Sequence, residues 1–170
     1  MPKIGLLSDS HGRAATTRRA VDVLVQQGAE LLIHLGDIGT VEVIDALCVD
    51  HPVSGDQVDS YLCFGNTDWD IDSLAEYADD LDVNVQHPTG KIPLDSGEAL
   101  FFCHGHEDRP MKQAIHEGAR YLCHGHTHRQ EDETRGDTRI INPGALFRAS
   151  VYSVAVLDTA TDQLVFHKVE

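Results

Sequence analysis

Long hydrophobic runs are missing from this sequence. No apolar stretch approaches the roughly 18 residues that a membrane-spanning helix needs, so a transmembrane segment is excluded. Cysteine is scarce: Cys48, Cys63, Cys103 and Cys123 form no CxxC pair. Three of them close apolar runs, where a small buried residue fits, and free thiols rather than disulfides are expected. Basic residues are also few. Thirteen Lys and Arg face 28 Asp and Glu, a formal net charge of −15 with no basic stripe. That balance argues against nucleic acid and anionic membranes as partners and predicts a solvated acidic surface. There is no repeat, linker or low-complexity tract. The N-terminal MPKIGLLSDS has one Lys but no small-residue cleavage site. It reads as a first strand rather than a signal peptide, with the cytoplasm as default compartment.

What is present is ordinary bulk and unusual punctuation. A length of 170 residues with 41% hydrophobic content fits one domain, residues 1–170, with a proper core. Strands are predicted over 3–8, 30–35, 58–64, 83–86, 91–94, 99–104 and 120–123. Helices are predicted over 13–27, 41–47, 72–80 (Asp72 or Ser73 as N-cap) and 110–118, the last with Pro in its first turn. Two hairpins follow, 129–135 with 138–141 through Gly136-Asp137, and 151–157 with 163–169 through 158–161. The first half is βαβαβ and the second mostly β. An α/β fold of two packed sheets flanked by helices follows.

The punctuation is five polar motifs, each placed after an apolar run: Asp9 and His11 in DSH, Asp37 in GD, Asn66 in GNTD, His104 in HGH, and His126 with His128 in GHTH. The runs before them lack polar alternation, as in strands covered on both faces. Five strand ends therefore deliver carboxylate, imidazole and amide to one edge, where ligands bind in open α/β sheets. Asp and His supply the hard-oxygen and borderline-nitrogen mixture that suits Mn, Fe, Zn or Ni. The two-residue spacing of Asp9 and His11 turns both the same way if the backbone is extended. Each motif alone has an ordinary explanation: a helix cap at Asp9 or Ser10, a turn at Asp37, an Asx-turn at Asn66. His34 and His124 are read as core or supporting residues within strands. His51, His87, His116 and His167 receive no role. Trp69 is read as a packing residue, with a place at the cleft rim as the other reading.

Taken in order, DxH, GD, GNxD, HGH and GHTH resemble the calcineurin-like metallophosphoesterases, most closely the small single-domain phosphodiesterases of bacteria and archaea. The likeness runs from Ile4 to about Arg148 and includes Ile141-Asn142-Pro143-Gly144. It implies a two-sheet αββα sandwich and two divalent transition-metal ions. Asp9, His11, Asp37 and His128 would hold one, and Asp37, Asn66, His104 and His126 the other. It also implies a small phosphoester substrate, a diester rather than a monoester, with a hydroxide held between the metals attacking phosphorus in line. Non-catalytic relatives of the fold have altered ligands, whereas all seven positions match here. A scaffold role and a nuclease are the competing readings, and self-association into a homo-oligomer is left open. In one respect the chain departs from the larger phosphatases of the superfamily. They carry His directly after the motif Asn, where it assists the leaving group, and this chain has Thr67. Protonation then falls to His106 or Asp68; support of the metal ligands is the other reading of His106, and orientation of a ligand that of Asp68.

Overall fold

The computed structural model describes residues 2–170. Its first sheet contains β1 (Lys3–Leu7), β2 (Leu31–His34), β3 (Asp59–Leu62), β4 (Asn84–Val85), β10 (Ser153–Asp158) and β11 (Gln163–Lys168) in the order β11-β10-β1-β2-β3-β4. The second contains β5 (Thr89–Pro93), β6 (Ala99–Cys103), β7 (Tyr121–Cys123), β8 (Gln130–Arg135) and β9 (Thr138–Pro143) in the order β5-β6-β7-β9-β8. β1 to β4 run parallel, as do β6, β7 and β9. Helices α1 (Ala14–Gln26), α2 (Val41–Asp45) and α3 (Ile71–Asp80) cover the first sheet, and α4 (Asp108–His116) the second. None of the described helices is long and apolar enough to cross a membrane.

The side-chain period of two builds the layers. Ile4 and Leu6 of β1, with Leu31 and Ile33 of β2, pack between the sheets against Leu100, Phe102 and Tyr121. Their sequence neighbours Leu7 and Leu32 point the other way and pack against Ala20, Val21 and Leu24 of α1. In β6, Phe102 faces the first sheet while Phe101 and Cys103 meet Ala114 of α4. The arrangement is helix, sheet, sheet, helix, as the sequence predicts. All four cysteines are free, three of them buried.

Two local expectations differ. The N-cap of α3 is Asp70, whose Oδ1 accepts from Ser73 N at 3.4 Å, rather than Asp72 or Ser73. Neither Asp9 nor Ser10 caps α1: its N-cap is Arg13 and no side chain caps it. Ser10 Oγ instead meets His34 Nε2 at 2.8 Å and Thr17 Oγ1 at 3.0 Å, which joins α1 to the end of β2.

Candidate metal centre

Parallel strands of both sheets end at one edge, and the segments that leave them carry the seven predicted ligands. Asp9 follows β1, Asp37 follows β2 and Asn66 follows β3 from one sheet; His104 follows β6, and His126 and His128 follow β7, from the other. Adjacent loops are laced together, with Asp9 N donating to Gly36 O (3.0 Å) and His11 N to Asp37 O (2.9 Å). Extended geometry is not what aims Asp9 and His11. Both have left-handed backbones (φ 57° and 45°), as do Asp37 (55°), His126 (67°) and His128 (58°). Each such residue costs roughly 1–2 kcal/mol, and such strain persists where a site needs a side chain turned out of its strand direction.

The side chains converge. His128 Nε2 lies 3.1 Å from Asp9 Oδ1, and Asp37 Oδ2 lies 3.4 Å from His11 Nε2 and 3.3 Å from His104 Nε2. His104 Nε2 is 3.1 Å from Asn66 Oδ1. Its Nδ1–H donates to the carbonyl of Leu35 at 2.8 Å, which in the neutral ring leaves the Nε2 lone pair facing the cluster. Asp9, His11 and His128 offer atoms within 4.8 Å of one another, and so do Asp9, Asp37 and His104. Asp9 is common to both triads, while Asp37 lies between the imidazoles of both. The His126 ring stands 5.2 Å from that of His104, and its backbone N–H donates to Asp9 Oδ2 at 3.1 Å.

A metal fits these donors. Asp9 Oδ1 and His11 Nε2 are buried, face the cluster and, among the described residues, have no hydrogen-bond partner. A buried carboxylate oxygen and imidazole nitrogen left bare are expensive unless a cation satisfies them. Burial opposes ionisation of both aspartates. The nearby His11 imidazole and the Ser8 hydroxyl outweigh it at Asp9, and the His104 imidazole and Thr67 outweigh it at Asp37, so both carboxyls stay below the usual range. His104 is shifted upward: burial lowers it, and the Asp37 carboxylate more than compensates. Mixed carboxylate, imidazole and amide donors suit a divalent transition metal.

The sequence profile of the calcineurin-like phosphoesterase superfamily domain matches residues 2–162. The chain belongs to that superfamily. Phosphodiesterase MJ0936 of Methanocaldococcus jannaschii is 27% identical over 161 residues, covering 92% of this chain and 93% of that protein. A structure of a novel archaeal phosphodiesterase superposes with a TM-score of 0.84 at 24% identity, covering 98% and 99% of the two chains. The phosphoesterase Yfce from E. coli gives 0.64 at 21% identity, covering 99% and 100%. The family match and the converging donors together point to a divalent-metal site.

The remaining predicted residues divide by their surroundings. Asp68 is buried and spent on backbone: Oδ2 accepts from Gly65 N (2.9 Å) and Ile38 N (3.2 Å), Oδ1 from Gly39 N (2.8 Å). These bonds fasten the Asp37 loop to the Asn66 loop. His106 projects at the open side, its ring 5.4 Å from His104 and 6.1 Å from His126, with Glu107 Oε1 3.8 Å away. Thr67 N donates to Asp37 Oδ1 at 2.9 Å and its hydroxyl lies 3.5 Å from His11 Nδ1. Trp69 is not a packing residue: it is 90% exposed, just past the anchored Asp68. His124 sits one residue beyond β7, where its Nε2 meets Glu131 at 3.0 Å.

Sequence reasoning missed two kinds of supporting residue. Asn142 Nδ2 donates to Gly125 O (2.9 Å) and Thr127 Oγ1 (3.1 Å), so the Asn-Pro-Gly segment braces the GHTH loop. Glycine is required before the ligands because a side chain at Gly65 would strike Asp37 Oδ1, and one at Gly125 would strike Ser8 and Asp9. The Gly in GD, GN and GH was the available signal.

His34 gives a prediction for stability. It is completely buried, and burial pushes its pKa down to about 4. The unfolded chain, with an ordinary imidazole, binds a proton between pH 6.5 and 4 that the folded chain refuses. Stability is therefore full above pH 6.5 and declines as pH falls toward 4. Metal-free protein should lose about 2 kcal/mol between pH 7 and 5 in urea titrations, and His34→Gln should flatten that slope. An unchanged slope in the variant would remove His34 as its source.

Proposed function

We propose that this protein hydrolyses small phosphodiesters with two divalent transition-metal ions as cofactors, Mn²⁺ first among Mn, Fe, Zn and Ni. The observation that carries the reading is the pair of bare buried atoms, Asp9 Oδ1 and His11 Nε2, where strand ends of both sheets meet. Asp9, His11, Asp37 and His128 would hold one ion, and Asp37, Asn66, His104 and His126 the other. Such ions supply Lewis acidity toward phosphoryl oxygens and make water acidic enough to attack phosphorus near neutral pH.

The chain's own groups do the rest. Asn66 turns its Oδ1 to the His104 side, which leaves its NH₂ to donate to a phosphoryl oxygen. His126, its ring 5.2 Å from that of His104, would help offset the charge that builds on those oxygens. Asp68 keeps the Asp37 and Asn66 loops in register, so that both meet one phosphate. His106, the ionisable side chain left free at the open side, is placed to hand a proton to the leaving oxygen.

The test is reconstitution. Purified protein loaded with Mn²⁺ should hold two ions per chain by elemental analysis. It should release nitrophenol from bis(p-nitrophenyl) phosphate faster than from p-nitrophenyl phosphate. Because the ions bind only the folded chain, metal at 100 times its Kd should stabilise it by about 2.7 kcal/mol per ion, reversibly with chelator. No diester turnover with any of the four metals would reject the reading.

A further inference from the structure

Beyond the ligands, the His11 end of the cluster carries an aromatic ring flanked by two cations. The Phe147 ring lies 4.8 Å from the His11 ring, tilted by 46°. Arg13 Cζ sits 4.7 Å from the Phe147 centroid, and Arg148 Cζ sits 5.0 Å from it. One aromatic ring therefore separates both guanidiniums from an imidazole of the metal cluster.

Both arginines are exposed, and among the described residues no carboxylate lies within ion-pair distance of either. Arg18, Arg109 and Arg129 likewise have no carboxylate partner among the described residues, so what sets Arg13 and Arg148 apart is that both lie over one ring beside an imidazole of the metal cluster. Arg120, Arg135 and Arg139 each have a carboxylate partner. Stacking occupies the face of a guanidinium and leaves its N–H edge free, the edge that matches phosphate in a fork.

The backbones that carry this trio are tied to the site. Arg13 N donates to Ser10 O at 2.9 Å, and Leu146 N donates to Ser8 O at 3.2 Å. The carbonyl of Arg148 faces His128 Nδ1 at 3.4 Å, and Arg148 has a left-handed backbone, φ 46°. α1 begins here with no acidic residue in its first turn, so nothing local neutralises the positive end of its dipole.

We propose that Arg13 and Arg148, stacked on Phe147, form a second anion subsite that holds a phosphate group other than the one being hydrolysed. The preferred substrates are then small phosphodiesters that carry an additional phosphate. This rests on the diesterase reading and names its substrate class. Phe147 holds both guanidiniums at the His11 end of the ligand cluster, and the second phosphate would accept from their N–H edges.

The test compares thymidine 5′-(p-nitrophenyl phosphate) with the same ester bearing a 3′-phosphate, so that scissile bond and leaving group are identical. Charge-assisted hydrogen bonds of this kind should favour the 3′-phosphorylated ester about tenfold or more in kcat/KM. In Arg13→Gln/Arg148→Gln that ratio should fall to about one. Lys112→Gln, which removes an exposed cation on α4, should keep the wild-type ratio. If the double variant fails to fold, Arg13→Gln alone must lower the ratio.

Calorimetric titration with thymidine 3′,5′-bisphosphate and thymidine 5′-monophosphate adds a readout without turnover. The bisphosphate should bind the metal-loaded wild type more tightly, and the advantage should vanish in the arginine variants. Absent turnover with that binding pattern intact would leave the subsite standing and reject the diesterase. Equal rates and equal binding of the paired ligands, a preference that survives loss of both arginines, or an equal fall in Lys112→Gln, would overturn the subsite.

Discussion

Asp37→Asn is expected to deplete both metals and to lower turnover by about 10²–10³-fold, the scale of removing one preorganised electrostatic partner from a reaction centre. Asp37 Oδ2 is nearly equidistant from His11 Nε2 (3.4 Å) and His104 Nε2 (3.3 Å), imidazoles assigned to different ions. A carboxylate has two oxygens and can be shared. Asparagine keeps the size but offers one oxygen and turns an NH₂ toward a cation, and it removes a negative charge that sits between two positive ones. Thr67 N now donates to Asp37 Oδ1, and this bond would persist only if the amide oxygen stayed on that side, facing away from the metals. The check is elemental analysis beside initial rates across a metal titration. Two ions per chain with near-normal rates in Asp37→Asn would show that Asp37 is not shared. Gly65→Ala is a companion that keeps the charge: its methyl would strike Asp37 Oδ1, so metal retention should fall although every ligand remains.

The arrangement of strands was legible because burial on both faces erases the polar alternation of a strand. Runs such as those of β1, β2, β6 and β7 therefore stand out, and the polar residue after each marks its end. Parallel pairing carried the argument further, since it sends those ends to a common edge. The geometry at that edge was hidden. Left-handed backbones at Asp9, His11, Asp37, His126 and His128 leave no periodic trace, because they are set by loop-to-loop hydrogen bonds rather than by local preference.

Long-range partners were hidden for a related reason. Asp68 reads locally as part of an Asx-like turn, yet two of its three amide partners lie 29 and 30 residues earlier in the chain. Phe147 and Arg148 follow the last recognisable segment, and nothing in the sequence places them beside Arg13. From sequence alone Trp69 reads as a packing residue, with the cleft rim as the other reading. The anchoring of Asp68 sets it on the outside of the turn instead. These are tertiary outcomes, and composition and spacing carry little information about them.

His106→Ala should separate esters by how badly they leave. Larger relatives place an imidazole where this chain has Thr67, whose hydroxyl is near His11 Nδ1 and is no acid at neutral pH. Both oxygens of Asp68 are engaged by three backbone amides, away from an approaching ester. That leaves His106, on the segment after β6 beside His104 and His126, with its side chain 29% exposed. A general acid is worth about 10²–10⁴-fold, and mainly when the departing oxygen is basic. Nitrophenolate carries its own charge well; an alkoxide does not. The loss in His106→Ala should therefore approach that range for alkyl diesters and be far smaller for nitrophenyl diesters. The plot of log kcat against leaving-group pKa should become steeper in the variant, and it should be measured where chemistry is shown to limit the rate. Parallel lines for wild type and His106→Ala would remove His106 from proton transfer. Leaving groups would then depart without protonation by this chain, and alkyl esters would be poor substrates for the wild type as well.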